Sequence, residues 1–148
     1  MSAPFFGLAL DVPWLKLAAG RALSRVVPTL GMPSGFHGAD VTKDFARAAA
    51  YDADPLGFAK TNVRWFTETQ LAQARYLARA GELRLPLFET IGTEDRLSKL
   101  STARAFFDGV ASVDKVWRER KGGFHEGLND PDWRELADEM ASWMLAHA

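Results

Sequence analysis

Residues 85–96 read Leu-Pro-Leu-Phe-Glu-Thr-Ile-Gly-Thr-Glu-Asp-Arg, and residues 122–126 read Gly-Gly-Phe-His-Glu. The first stretch is a short apolar run bounded by a proline and a glycine, which is typical of a buried strand, and the loop after it carries Asp95. The second stretch follows another predicted strand at 114–120 and carries His125. An acid and then a histidine, each on a loop at a strand end, form the second half of a Ser…Asp…His order. The first half of that order is absent from these residues.

The composition is that of an ordinary globular protein. The chain has 148 residues, 47% of them hydrophobic and 25% charged, with a net charge of −1. This balance gives no electrostatic reason to bind nucleic acid, and no phosphate-binding or dinucleotide motif is present. The lack of cysteine excludes disulfides and thiolate chemistry, and three dispersed histidines predict no metal or other cofactor. With no apolar run of about 20 residues, the sequence predicts a soluble, cytoplasmic protein.

Helical periodicity covers most of the chain. It predicts helices over 13–27, 42–51, 62–80 and 99–111, and a last helix starting at 130. Leu15, Leu23 and Val26 share the apolar face of the first helix, and Phe45 is predicted to point inward from the second. Asp130 is predicted to be the N-cap of the last helix, which carries one stripe of Trp133, Leu136, Ala137, Met140, Trp143 and Met144. Trp133 and Trp143, with Phe106 of the preceding helix, are predicted to be core.

The order of these elements predicts an α/β fold that is incomplete. Residues 1–81 are almost all helical, whereas 82–148 read strand-helix-strand-helix, which is one parallel crossover unit. Two strands, even with a short third one at residues 1–3, leave exposed edges and little area for the helices to cover. The chain therefore looks like a piece of a larger α/β layer structure.

Both motifs resemble those of a known family. The stretch 85–97 is similar to the acid-bearing strand and loop of α/β-hydrolases, and most similar to that of the monoacylglycerol lipase and lysophospholipase (serine aminopeptidase-like) group. Gly-Phe-His-Glu-x-x-Asn-Asp-Pro at 123–131 resembles the histidine loop of that group. Ser-Ala-Pro at 2–4 resembles the end of the strand that leads into the family's cap, and 15–80 resembles the helical cap. The resemblance covers only the C-terminal half of a family member.

This resemblance implies a domain organisation and a chemistry. Residues 1–12 would be the end of a core strand and the lead-in to the cap, 13–81 the helical cap or lid, and 82–148 the C-terminal lobe of the core, with an incomplete parallel sheet. Asp95 would be the triad acid and His125 the general base of a serine hydrolase acting on lipid-like esters. The cap would form the tunnel for the acyl chain.

The family's nucleophile is missing from the sequence. Neither an oxyanion-hole His-Gly motif nor Gly-x-Ser-x-Gly precedes the cap-like region, and Gly-Met-Pro-Ser-Gly at 31–35 has the wrong spacing. Ser98 and Ser101 are more simply helix N-caps. A histidine–aspartate pair without a nucleophile or an oxyanion hole cannot run acyl transfer, so the chain alone is predicted to be inactive.

Two alternatives remain open at the level of sequence. Phe5, Phe6, Leu8 and Trp65 are candidates for substrate binding, but the same residues could pack the cap onto the sheet. The apolar group at the start of the chain would also let the cap touch a membrane surface. The alternative function is a non-catalytic, truncated hydrolase that self-associates, or binds a partner such as a complementing N-terminal half, through its open strand edge.

Overall fold

The computed structural model describes residues 1–9, 12–57 and 60–148. The elements run in the order α1 (Trp14–Val26), β1 (Gly31–Pro33), α2 (Gly38–Val41), α3 (Phe45–Ala53), β2 (Lys60–Asn62), α4 (Val63–Ala78), β3 (Leu87–Gly92), α5 (Leu100–Gly109), β4 (Lys115–Arg120) and α6 (Trp133–Ala146). We refer to residues 13–81 as the helical segment. Residues 10 and 11 of the predicted lead-in, and 58 and 59 of the predicted cap, lie outside the described residues.

A parallel pair of strands forms the centre of the fold. β3 and β4 pair in parallel over six residues, from Leu87 opposite Lys115 to Gly92 opposite Arg120. On the other side of β3, Ser2 makes a parallel bridge to Thr90. The predicted strands and their parallel crossover are confirmed, and the register brings the carboxyl ends of β3 and β4 side by side. The fold is an incomplete α/β layer structure.

The two faces of this sheet are covered by different helices. Leu87 packs into a buried cluster with α5, whereas the next residue, Phe88, lies 5.9 Å from the ring of Trp143 on α6. Because successive strand residues point to opposite faces, α5 and α6 cover opposite sides. The core position predicted for Phe106 on α5 is confirmed, whereas on α6 the buried residue is Leu136. Trp133 and Trp143 are half-buried over this narrow sheet.

Glu89 is an unexpected member of β3. It shares a face with Leu87 and Ile91, its side chain is completely buried, and neither carboxyl oxygen has a hydrogen-bond partner among the described residues. Burial raises the pKa of Glu89 to about 7, although the charge of the nearby Met1 amino group opposes that rise. A carboxyl group in such a position favours its protonated form.

The packing of α1 differs from the predicted amphipathic face. Its buried residues are Gly20 and Ser24, and the Ser24 Oγ lies 2.8 Å from the Oγ1 of Thr67 on α4. Leu15 and Val26, on the predicted apolar face, are 60% and 79% exposed. Ser24 is thus the residue of α1 that meets α4, and the apolar stripe of α1 faces outward or into a cavity.

The predicted loop at 28–40 contains two short elements. β1 pairs with β2 in an antiparallel ribbon, and α2 packs on α3 where the Gly38 N–H donates to Asp52 Oδ1 at 2.7 Å. A Cβ at Gly38 would lie 2.0 Å from the carbonyl oxygen of Ala48, so only glycine allows this contact. The inward orientation predicted for Phe45 is wrong, because its side chain is 92% exposed and Ala48 takes the buried position.

No helix in the described part of the chain has both the length and the apolar character needed to cross a membrane.

Candidate active site

The loops after β3 and β4 are joined by backbone hydrogen bonds. Thr93 N–H donates to the carbonyl of Arg120, and Glu94 N–H donates to the carbonyl of Gly123, each at 3.0 Å. The loops meet so closely that a Cβ at Gly92 would lie 2.1 Å from the Gly123 carbonyl oxygen. Glycine at position 92 is therefore what allows the two strand ends to bring their loops together.

Asp95 and His125, the two predicted catalytic residues, form a hydrogen-bonded pair across these loops. Nδ1 of His125 lies 2.9 Å from Oδ2 of Asp95. The other oxygen, Oδ1, accepts the backbone N–H groups of Leu97 and Ser98, both at 2.8 Å. The Asp95 side chain is 1% exposed and that of His125 is 21% exposed. The acid is thus fixed from two sides, while the ring it holds reaches the surface.

The geometry of this pair fixes the tautomer of the neutral imidazole. A carboxylate can only accept hydrogen bonds, so Nδ1 carries the proton that is donated to Asp95. Nε2 of His125 is then the ring atom with a free lone pair. A histidine held in this way can take a proton from a third group at Nε2, and the carboxylate stabilises the imidazolium that results.

Ser98 lies beside the pair in a position that the sequence did not predict. Its side chain is buried, and its Oγ lies 3.4 Å from Nδ1 of His125. The N-cap of α5 is Lys99, which makes no side-chain cap bond, so the N-cap role predicted for Ser98 and Ser101 is wrong. Because Ser98 faces Nδ1, it is on the wrong side of the ring to be activated by Nε2.

The other two histidines lie on other elements of the fold. His37 precedes α2, and His147, at the end of α6, has its Nε2 2.9 Å from Oδ2 of Asp114. Among residues 1–9, 12–57 and 60–148 there is no group of three or more histidine, aspartate or glutamate side chains that could hold a metal ion.

An apolar cavity of about 420 Å³ is enclosed by the helical segment together with residues that precede it in the chain. Its lining includes Phe5, Leu8, Ala19, Leu23, Trp65 and Phe66. Three of the four predicted substrate-binding residues thus line one cavity. The fourth, Phe6, instead lines a separate groove and stacks on Phe106 of the core, with ring centroids 4.1 Å apart.

The wall of this cavity is joined to the loop that carries the acid. Leu8 forms an antiparallel bridge with Ser98, and the N–H of Ala9 donates to the carbonyl of Leu97 at 2.8 Å. Leu97 and Ser98 are the residues whose N–H groups bind Asp95. The cavity wall and the candidate catalytic pair are therefore parts of one hydrogen-bonded unit.

Asp130 is the residue of the site that the sequence prediction misplaced. α6 begins at Trp133 with Asp132 as its N-cap, so the N-cap role predicted for Asp130 is wrong. Its carboxylate is completely buried and binds the backbone N–H of Phe124, directly before His125. In the sequence, this role of Asp130 is indicated only by the similarity of Asn-Asp-Pro at 129–131 to the family's histidine loop.

Comparison with known proteins agrees with this geometry. The profile of the hydrolase family described as serine aminopeptidase, S33, matches residues 1–132. The phospholipase YtpA of Bacillus subtilis is 29% identical over 137 residues, which are 92% of this chain and 53% of that protein. A monoacylglycerol lipase of Mycolicibacterium smegmatis is also 29% identical, over 99% of this chain and 52% of the relative.

The solved structures give the same fold. The crystal structure of Paleococcus ferrophilus monoacylglycerol lipase superposes with a TM-score of 0.91 at 23% identity, over 99% of this chain and 58% of that one. The chain thus spans about half the length of the relatives it matches. With the family profile matching most of its length, this chain belongs to the serine aminopeptidase (S33) family of α/β-hydrolases.

Proposed function

We propose that residues 1–148 form the acid–base and substrate-holding half of a serine hydrolase that cleaves carboxylic esters of lipid-like substrates. The observation that carries this proposal is the buried carboxylate of Asp95, 2.9 Å from Nδ1 of His125, at the ends of two adjacent parallel strands. The family, and relatives named as a phospholipase and a monoacylglycerol lipase, support ester hydrolysis on lipids.

In this proposal the nucleophile and the oxyanion hole come from residues outside these 148. The serine hydroxyl donates to Nε2 of His125, which takes its proton as the oxygen attacks the ester carbonyl. The histidine then gives that proton to the departing alcohol, and a water molecule repeats the sequence to release the acid. Asp95 stays ionised and stabilises the imidazolium at each step.

The apolar cavity is proposed to hold the acyl chain. Its volume of about 420 Å³ is within the range of ligand sites, and Phe5, Leu8 and Trp65 offer it an apolar lining. The bridge between Leu8 and Ser98 ties that lining to the acid loop. An ester bound at His125 would thus have a nearby apolar site for its chain.

We further propose that the helical segment acts as a lid whose outer surface touches lipid. Trp14 and Leu15 at the start of α1 are 74% and 60% exposed. Arg21 and Arg25 on the same helix are also exposed and would meet anionic headgroups. An exposed apolar helix face flanked by basic residues is typical of interfacial binding.

The proposal predicts that this chain gains esterase activity when a nucleophile half is joined to it. A chimera of the N-terminal half of the M. smegmatis lipase and residues 1–148 is expected to hydrolyse a monoacylglycerol and a p-nitrophenyl ester. The isolated chain is expected to show no turnover above buffer. Replacing the donor half's nucleophilic serine by alanine should lower the chimera's rate by about 10⁴-fold or more, which is the matched control. A folded but inactive chimera would contradict the proposal.

A second candidate function is self-association of the chain as an interaction module. Among the described residues, no strand pairs with the outer side of residues 1–3 or of β4, so two strand edges are open. Unpaired edges beside exposed apolar residues such as Leu85 and Val113 are templates for a second copy. Sedimentation velocity of the isolated chain is expected to show dimers or larger species. A monodisperse monomer that unfolds cooperatively would exclude this candidate.

A further inference from the structure

The histidine loop is held from within by one buried carboxylate. Oδ2 of Asp130 accepts the backbone N–H of Phe124 at 3.0 Å and Nη2 of Arg120 at 3.2 Å. Phe124 directly precedes His125, and Arg120 is the last residue of β4. The Asp130 side chain is 0% exposed, so it has no solvent to replace these partners. One oxygen of Asp130 thus fixes the backbone from which the histidine ring extends.

The other oxygen of Asp130 faces the helical segment. Oδ1 accepts the backbone N–H of Lys43 at 3.0 Å and the Oγ1 hydroxyl of Thr42 at 3.1 Å. The same hydroxyl lies 2.9 Å from the carbonyl of Asn129. A further bond runs from the N–H of Glu126 to the carbonyl of Val41 at 2.8 Å. Residues 41–43 are therefore bonded directly to Glu126, Asn129 and Asp130, which follow His125, and are connected through Asp130 to Phe124, which precedes it.

The charge state of Asp130 suits this role. Burial by itself raises the pKa of Asp130, but hydrogen bonds from the Lys43 and Phe124 N–H groups, from Thr42 and from Arg120 outweigh it and hold that pKa below its ordinary value. An ionised carboxylate offers both oxygens as acceptors, and bonds to a charged acceptor are stronger than neutral ones. All four donors are engaged by the ionised form.

We propose that Asp130 is a positioning residue, which couples the placement of residues 41–43 in the helical segment to the orientation of His125. A displacement of the α2–α3 link would pull on Asp130 and, through Phe124, on the backbone of the histidine. The catalytic consequence rests on the proposed function, because it assumes that His125 acts as a base. The coupling itself is a property of this chain and is measured without turnover.

The experiment uses ¹H–¹⁵N NMR of residues 1–148, which reports the His125 Nδ1–H signal and the amide exchange of Phe124 and Glu126. Thr42→Val keeps the shape of the side chain but removes the hydroxyl, whose single proton is shared between Asp130 Oδ1 and the Asn129 carbonyl and whose oxygen accepts the Asp44 N–H at 3.1 Å. We expect a shifted Nδ1–H signal and amide exchange that is faster by about tenfold at both positions. Thr42→Ser, which keeps the hydroxyl, is expected to restore both readouts.

Two matched variants separate this coupling from a general loss of stability. Thr67→Val removes a buried hydroxyl of the same segment that, within the described ranges, bonds to Ser24 and to the carbonyl of Arg64. Asp132→Asn removes the other carboxylate that pairs with Arg120. Both are expected to leave the His125 signal unchanged.

Two results of these measurements would overturn the inference. A folded Thr42→Val variant with an unchanged His125 signal and unchanged amide exchange would overturn the inference. Equal changes in Thr67→Val would also overturn it. Because no step of this test needs activity, an inactive chimera would count against the proposed function and leave the coupling standing.

Discussion

Alanine at position 125 is expected to lower kcat of the chimera for ester hydrolysis by about 10⁴- to 10⁶-fold, with little change in KM. Without the imidazole, no group is placed to take the serine proton or to return it to the leaving alcohol. Asp95→Asn is expected to cost about 10⁴-fold, because an amide can no longer hold the Nδ1–H tautomer of His125. Initial rates on a p-nitrophenyl ester, measured at several substrate concentrations, separate kcat from KM.

The chain contains its own control for this experiment. His147 also has a carboxylate partner, with Nε2 2.9 Å from Oδ2 of Asp114, but it lies at the end of α6 away from the two loops. His147→Ala is expected to leave kcat within about twofold, as is usual for groups outside a site. The assignment of the base would be wrong if His125→Ala retained most of the activity, or if both variants lost it equally.

Replacing Glu89 by leucine is expected to stabilise the isolated chain at pH 8 by on the order of 3 kcal/mol. Its pKa is raised from an ordinary 4.5 to about 7 in the folded state. Between these values the folded chain binds more protons than the unfolded one, so the free energy of unfolding falls as the pH rises through this window. Above pH 7 the Glu89 carboxyl group is ionised in both states, and it no longer changes the free energy of unfolding with pH.

Urea denaturation at several pH values between 4.5 and 8 measures this effect. Glu89→Leu is expected to abolish the decrease in the free energy of unfolding with rising pH. Glu89→Gln should also abolish that decrease but stabilise the chain less, since a buried amide also lacks partners. Glu94→Gln, at an exposed position just beyond β3, is the control and should retain the fall. If the free energy of unfolding of Glu89→Leu depended on pH as that of the unsubstituted chain does, the Glu89 carboxyl group would have to bind a partner or water in solution.

The parts of the fold that could be predicted from sequence are those with a strong local signal. The apolar run at 85–91 and its turn residues predicted β3, and the order of acid and histidine placed Asp95 and His125 on adjacent loops. Parallel pairing then required those loops to meet, which the 2.9 Å contact confirms. Here local pattern and tertiary structure agree because the strand is buried on both faces.

The errors occur where packing or a buried polar group overrides the local pattern. The apolar stripe of α1 predicted its buried face, but the buried residues are Gly20 and Ser24, and the Ser24 hydroxyl meets that of Thr67 on α4. Asp130 before a proline has the form of an N-cap, yet its carboxylate accepts hydrogen bonds from four donors that lie outside α6. β1 and β2, with three residues each, are too short for periodicity to show.

In the proposed enzyme this chain supplies the acid and the base while a serine comes from outside it. Intact-mass spectrometry after treatment with a fluorophosphonate tests this division of roles. We expect no adduct on isolated residues 1–148 and one adduct per molecule of the chimera, located on the donor half's serine and formed at least about 10³-fold more slowly after His125→Ala. Stoichiometric labelling of the isolated chain, abolished by His125→Ala, would contradict this division of roles and show that a serine within these 148 residues is the nucleophile.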